Sequence, residues 1–256
     1  MRCRSRRLLI GVMLRTLTLL GFALNVQAAE VSVAVASNFT APMRKIAEAF
    51  EQETGHRAVL SSGSTGGFHV QINNGAPFEV LLAADEETPL KVERGGLGVE
   101  GSRFTYAIGR LVLWSQQPGF VDDKGDVLRR GKFERIAIAN PKLAPYGAAA
   151  AETLTRLGLL KDVQPRLVQG ENIAQTYQFV ATGNVPLGFV AMSQVIADGK
   201  ISRGSAWIVP AEFHTPIRQD AILLTKGKDA PAAISLMRFL RSDKARALIR
   251  SFGYDV

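Results

Sequence analysis

From residue 31 onward the chain switches repeatedly between two kinds of apolar spacing. Val31, Val33 and Val35, interleaved with Ser32, Ala34 and Ala36, form a short β-branched run with small partners, the pattern of a strand covered on both faces. Phe39, Met43, Ile46, Ala47 and Phe50 then recur at helical spacing, opposite Arg44, Lys45, Glu48, Glu51 and Gln52, and Gly55 closes the helix. The alternation continues with a strand at 58–60, a short helix carrying Phe68 and Ile72, a strand at 80–82 and a helix opened by Asp85-Glu86-Glu87. Residues 106–115 read as one long strand able to cross between lobes, and 122–131 as a loop or weak helix. Beyond them the pattern predicts strands at 136–139, 163–168 and 187–191 and helices at 148–157 and 172–182. Strands at 206–209 and 221–224 form the expected return path to the first lobe, and Asp229 the cap of a last major helix with Pro231 in its first turn.

Strands alternating with helices along the whole chain predict an α/β protein of open, mostly parallel sheets flanked by helices, with ligands at the carboxyl ends of the strands. Four strand-to-helix junctions carry small or amide-bearing residues: Ser37-Asn38, Gly63-Ser64-Thr65-Gly66-Gly67, Pro145-Tyr146-Gly147 and Glu171-Asn172-Ile173. A helix N-terminus leaves backbone N–H groups without intrahelical partners and carries the positive end of the macrodipole, so each junction is a candidate anion seat. Two seats fall in each half of the chain, as a cleft between two lobes requires. The lobes are expected at 29–108 plus 206–256 and at 109–205.

Composition narrows the chemistry. Residues 1–28 read as a cleaved export signal, with Arg2, Arg4, Arg6 and Arg7 before an apolar stretch and Val26-Gln27-Ala28 as the cleavage pattern, so a periplasmic location is expected. Ser5-Arg6-Arg7-Leu8-Leu9 fits a twin-arginine signal as well as an ordinary secretory one. That segment holds five arginines and no acid, so 26 basic residues face 23 acidic ones in the remainder, a net charge of +3 rather than +8. A nearly balanced chain without a Lys/Arg cluster interleaved with aromatics argues against nucleic acid as a partner. The sole cysteine, Cys3, lies in the signal, which leaves neither a disulfide nor a thiolate metal site.

Catalytic and metal readings find little support in the motifs. Ser64 with His69 lacks the Gly-x-Ser-x-Gly spacing of a nucleophile elbow, and His56, His69 and His214 are dispersed. No His-x-x-Glu-His run, EF-hand loop or P-loop lysine is present, so no direct metal-cation site and no cofactor are expected. Asp85 is read as a helix cap rather than a ligand. An exported serine hydrolase built on Ser64, a structural or adhesive module, and a receptor for sulfate or phosphate stand as alternatives to an oxyanion receptor without catalysis.

Together the segments Ala34-Val35-Ala36-Ser37-Asn38-Phe39, Ser62-Gly63-Ser64-Thr65-Gly66 with Gln71-Ile72, Asn74-Gly75-Ala76-Pro77 to Ala84-Asp85, Asn140-Pro141 to Tyr146-Gly147, Gly170-Glu171-Asn172-Ile173 and Pro186-Leu187-Gly188-Phe189-Val190 resemble the periplasmic molybdate-binding proteins of ABC importers. The resemblance implies a two-lobed type II periplasmic binding protein, monomeric, that closes on molybdate or tungstate and presents it to an inner-membrane permease. It places the oxyanion on Ser37, Asn38, Ser64, Tyr146 and Ile173, molybdenum being held only through its oxygens. Some members of the family add a tyrosine hydroxyl just after the Gly-Phe-Val strand. Ala191 stands there in this chain, and Asn38 is the expected replacement donor.

Overall fold

A computed structural model of the chain describes residues 28–197 and 199–256. The expected export signal therefore lies, but for its last residue, outside the described residues. Among those described, no helix is long and apolar enough to cross a membrane.

The first lobe begins with β1 (Glu30–Ala36), α1 (Thr40–Thr54), β2 (Arg57–Gly63), α2 (Thr65–Asn73), β3 (Val80–Leu82), α3 (Glu87–Arg94) and β4 (Phe104–Gly109). The second holds β5 (Leu111–Ser115), α4 (Val127–Arg130), β6 (Ile136–Ala139), α5 (Pro145–Arg156), α6 (Leu160–Val163), β7 (Leu167–Gly170), α7 (Ile173–Ala181) and β8 (Gly188–Ala191). A small ribbon, β9 (Ile196–Ala197) with β10 (Lys200–Ile201), and β11 (Ser205–Ile208) follow. The chain then returns through β12 (Ile217–Leu223), α8 (Pro231–Phe239) and α9 (Asp243–Ser251).

Each lobe is organised by one five-stranded sheet, in the orders β2-β1-β3-β12-β4 and β11-β5-β8-β6-β7. β1 runs parallel to both β2 and β3, and β6 parallel to β7 and β8, whereas strands next to the lobe crossings pair antiparallel. The alternation in β1 has the expected consequence. Val31, Val33 and Val35 pack with Met43, Ile46 and Phe50 of α1 and with α8, while Ala34 meets Phe68 and Ile72 of α2 on the other face. Helix α1 ends where Gly55 takes φ 75° and returns its N–H to Glu51 O.

The structure departs from the sequence pattern at five places. Residues 106–115 do not form one strand, because the chain changes sheet at Arg110: β4 belongs to the first sheet and β5 to the second. The strand at 206–209 does not lie on the return path but pairs with β5, Trp207 opposite Leu113, and its indole is buried against Phe213 in the core of the second lobe. Apolar alternation identifies a strand without naming its partner, and the return falls to β12, where Ile217 pairs with Gly109. The strand expected at 163–168 begins only at Leu167, since a short helix and a 3-10 turn containing Pro165 precede it. Ala230 rather than Asp229 precedes α8, and α9, capped by the Ser242 hydroxyl, was not legible as a separate helix.

Candidate functional site

Four helix N-termini meet between the two sheets, and each is built so that a particular donor is left free. At α2, Ser64 is the N-cap and its Oγ accepts Gly67 N–H at 3.2 Å, which leaves the hydroxyl proton for another acceptor. At α7, Asn172 Oδ1 accepts the N–H groups of both Ala174 and Gln175 at 3.0 Å. The N–H of Ile173, the first helical residue, is the one that this cap does not satisfy. At α5, Pro145 occupies the first turn and no side chain caps it, so Tyr146 carries the first N–H of that helix. Gly147 lets this turn press against the end of β6, where a Cβ would overlap Ala139 O. Ahead of α1, Ser37 and Asn38 form a buried 3-10 turn directly after β1.

These ends enclose one cavity of at most about 180 Å³, lined by Ala36, Ser37 and Asn38, by Gly63, Ser64 and Thr65, by Ala84, by Ala144, Pro145 and Tyr146, and by Ile173. All five residues predicted from the sequence lie on it. The space is below the roughly 300–1,000 Å³ of sites for organic ligands and suits a small ion. None of these lining residues is Lys, Arg, Asp, Glu or His, so within the lining only the helix ends offer positive charge to an anion. The cleft is closed around it: Gly66 N–H donates to Leu143 O at 2.9 Å, and Ser193 Oγ to Asn38 O at 2.8 Å, each bond joining the two lobes. A wider opening, with Asp85, Glu86, Lys91, Lys142 and Arg218 among its residues, adjoins the cavity at Ala84 and Pro145.

Beneath the cavity lies a buried polar network that sequence reasoning did not anticipate. Asn38 Nδ2 donates to Gln219 Oε1 at 2.8 Å and to the Tyr254 hydroxyl at 3.0 Å, and Tyr254 in turn reaches Asn38 O and Ser193 Oγ. Both amide protons of Asn38 are thus engaged by the protein. The expected replacement of the missing tyrosine donor by the Asn38 side chain does not fit this arrangement, and its backbone N–H is the donor that remains. Burial holds the Tyr106 and Tyr146 hydroxyls well above the usual tyrosine range and pushes Tyr254 up to about 12.

These shifts carry a sign. The fold favours the neutral phenols, so their contribution to stability is complete below about pH 10, where unfolded tyrosine ionises, and is lost as pH rises from there through about 12. For Tyr254 alone this amounts to about 3 kcal/mol. Thermal unfolding scans are expected to show a level melting temperature from pH 6 to 9 and a steep fall above pH 10. A fall already complete by pH 9 would contradict the neutral network.

Ser64 and His69 do not pair: His69 Nε2 lies 3.1 Å from Asn73 Nδ2, one turn along α2. Asp85 receives the N–H and hydroxyl of Thr88, as a helix-capping carboxylate does, and burial pushes its carboxyl up against the pull of those two bonds. Glu171 is exposed, absent from the cavity lining, and its N–H is held by Gln175 Oε1 at 2.7 Å. Among the described residues no group of three or more His, Cys, Asp or Glu is placed to hold a metal ion.

Residues 31–255 match the family model of the bacterial extracellular solute-binding proteins. The chain is 59% identical over 230 residues to a molybdate-binding protein of Azotobacter vinelandii, covering 90% of this chain and 91% of that one. It is 50% identical over 235 residues to a molybdate-binding protein of Rhodobacter capsulatus, covering 92% of each. The solved periplasmic molybdate-binding protein of Azotobacter vinelandii superposes with a TM-score of 0.86 at 42% identity, over 88% of this chain and 99% of the other.

Proposed function

The chain belongs to the bacterial extracellular solute-binding proteins, and from that premise we propose that it is the periplasmic molybdate receptor of an ABC importer, with tungstate as a second ligand. It binds and releases its ligand without catalysis, as its relatives' names as binding proteins indicate. The observation that carries this reading is the convergence of four helix N-termini on one small cavity without a charged side chain. The dianion is held by the hydroxyls of Ser37 and Ser64 and the backbone N–H groups of Asn38, Tyr146 and Ile173. The receptor works as a monomer, exported by its cleaved signal, and hands its ligand to an inner-membrane permease.

Each charge-assisted hydrogen bond is worth roughly 1.5–3 kcal/mol. The five donors together contribute about 8–15 kcal/mol, and desolvation and lobe closure bring this to about 8–12 kcal/mol, a micromolar to nanomolar affinity. Neutral donors also select. A protonated phosphate needs an acceptor for its hydrogen, and no carboxylate lines the cavity. Sulfate has the charge of molybdate but a smaller radius, so the spacing of the four seats must reject it.

Thermal shift with four anions tests the reading. At 100 to 1,000 times the dissociation constant, molybdate or tungstate should raise the melting temperature by about 5–15 °C, while sulfate and phosphate at equal concentration leave it nearly unmoved. Equal shifts with sulfate would overturn the assignment.

A further inference from the structure

Gln219 is wholly buried on β12, where that strand slips register against β4 between Gln219 and Asp220. It does not line the cavity. Its side chain nevertheless reaches two residues that do, one from each lobe. Oε1 accepts Asn38 Nδ2 at 2.8 Å and the Tyr106 hydroxyl at 3.1 Å, and Nε2 donates to the Tyr146 hydroxyl at 3.2 Å. A buried amide is costly unless paired, so an apolar side chain of similar volume would serve better as filler. An uncharged amide offers an acceptor to Asn38 and a donor to Tyr146 at once.

We propose that Gln219 is a positioning residue of the oxyanion site, fixing Asn38 of the first lobe and Tyr146 of the second at the separation at which their backbone N–H groups meet one small dianion. This rests on the molybdate reading above. Both residues are gripped by their side chains, so the grip leaves their N–H groups for the guest. The crossing strand β4 is shaped around the pair: a Cβ on Gly109 would overlap the Tyr146 hydroxyl and stand 2.6 Å from Gln219 Nε2. Because the residue sits where the chain passes between lobes, it sets the distance between seats and not merely the stability of either lobe. Anion size discrimination depends on that distance.

The test is calorimetric titration of the wild type, Gln219→Leu, Tyr146→Phe and the double variant with molybdate and with sulfate, well below each melting temperature. Gln219→Leu and Tyr146→Phe are each expected to weaken molybdate binding about 10- to 100-fold and to lower the molybdate-over-sulfate ratio. Their losses should combine to less than the product of the two, since both break the same contact. If Gln219→Leu does not fold, Tyr146→Phe decides alone, because it removes a single oxygen, the one that Gln219 and Tyr254 reach. A lowered melting temperature with affinity and anion ratio unaltered is what a purely structural role predicts, and it would overturn the proposal. A wild type that binds no molybdate would end the molybdate reading and this inference with it, whereas wild-type binding with unaltered variants overturns the inference alone.

Discussion

Ser64→Asp is expected to abolish molybdate binding and leave the protein folded. Ser64 does two things at once: its oxygen caps α2 by accepting Gly67 N–H, and its hydroxyl proton is left to donate to a guest in the cavity that the residue lines. Aspartate caps a helix as well as serine does and carries a charge suited to the helix end, so the fold keeps its cap. The cavity does not keep its function. A carboxylate about 4 Å from a dianion, at an effective dielectric constant of about 20, is repelled by about 8 kcal/mol. That matches the margin of about 8 kcal/mol between nanomolar binding and none detectable at millimolar anion. Circular dichroism and melting temperature close to wild type, together with a silent titration, are the expected pair of results. Retained affinity would place the anion elsewhere.

Ile173→Pro removes a single backbone donor, a change few sites allow. Asn172, the residue before it, is extended at φ −147° and ψ 173°, as a residue preceding proline must be. Ile173 is the first residue of α7, where proline's missing N–H interrupts no helical bond. Asn172 continues to cap through Ala174 and Gln175. The variant should weaken molybdate about 10- to 100-fold, the loss of one charge-assisted bond. Some stability is also lost, since the isoleucine side chain is only 2% exposed. Ile173→Val retains the N–H and should bind nearly as the wild type does. Equal weakening in both variants would assign the effect to packing and remove Ile173 N–H from the site.

Both substitutions concern features visible in the sequence because helix-end chemistry is local. Ser64 and Gly67, or Asn172 and Gln175, lie three residues apart, so a strand-to-helix junction with a capping residue declares its free donors before any tertiary contact is known. Whether four such junctions converge depends on two sheets meeting, which the placement of two seats in each half suggested. What could not be read is long-range. Asn38 reaches Gln219 across 181 residues and Tyr254 across 216, and nothing around either partner distinguishes it from an ordinary strand or tail residue. For the same reason Asn38 was legible as a cavity residue while the engagement of its amide was not. The strand at 206–209 shows the limit at the level of the fold: its apolar pattern was recognisable, but its partner β5, with Leu113 opposite Trp207, lies about 90 residues away.

Anomalous diffraction at the molybdenum edge, from crystals grown with molybdate, would show whether neutral groups from both lobes surround one tetrahedral dianion. The expected result is a single strong peak in the cavity, the anion's oxygens within hydrogen-bonding distance of Ser37, Asn38, Ser64, Tyr146 and Ile173, and no lysine or arginine in contact. A peak in the wider opening beside Lys91, Lys142 or Arg218, or a basic side chain gripping the anion, would contradict it.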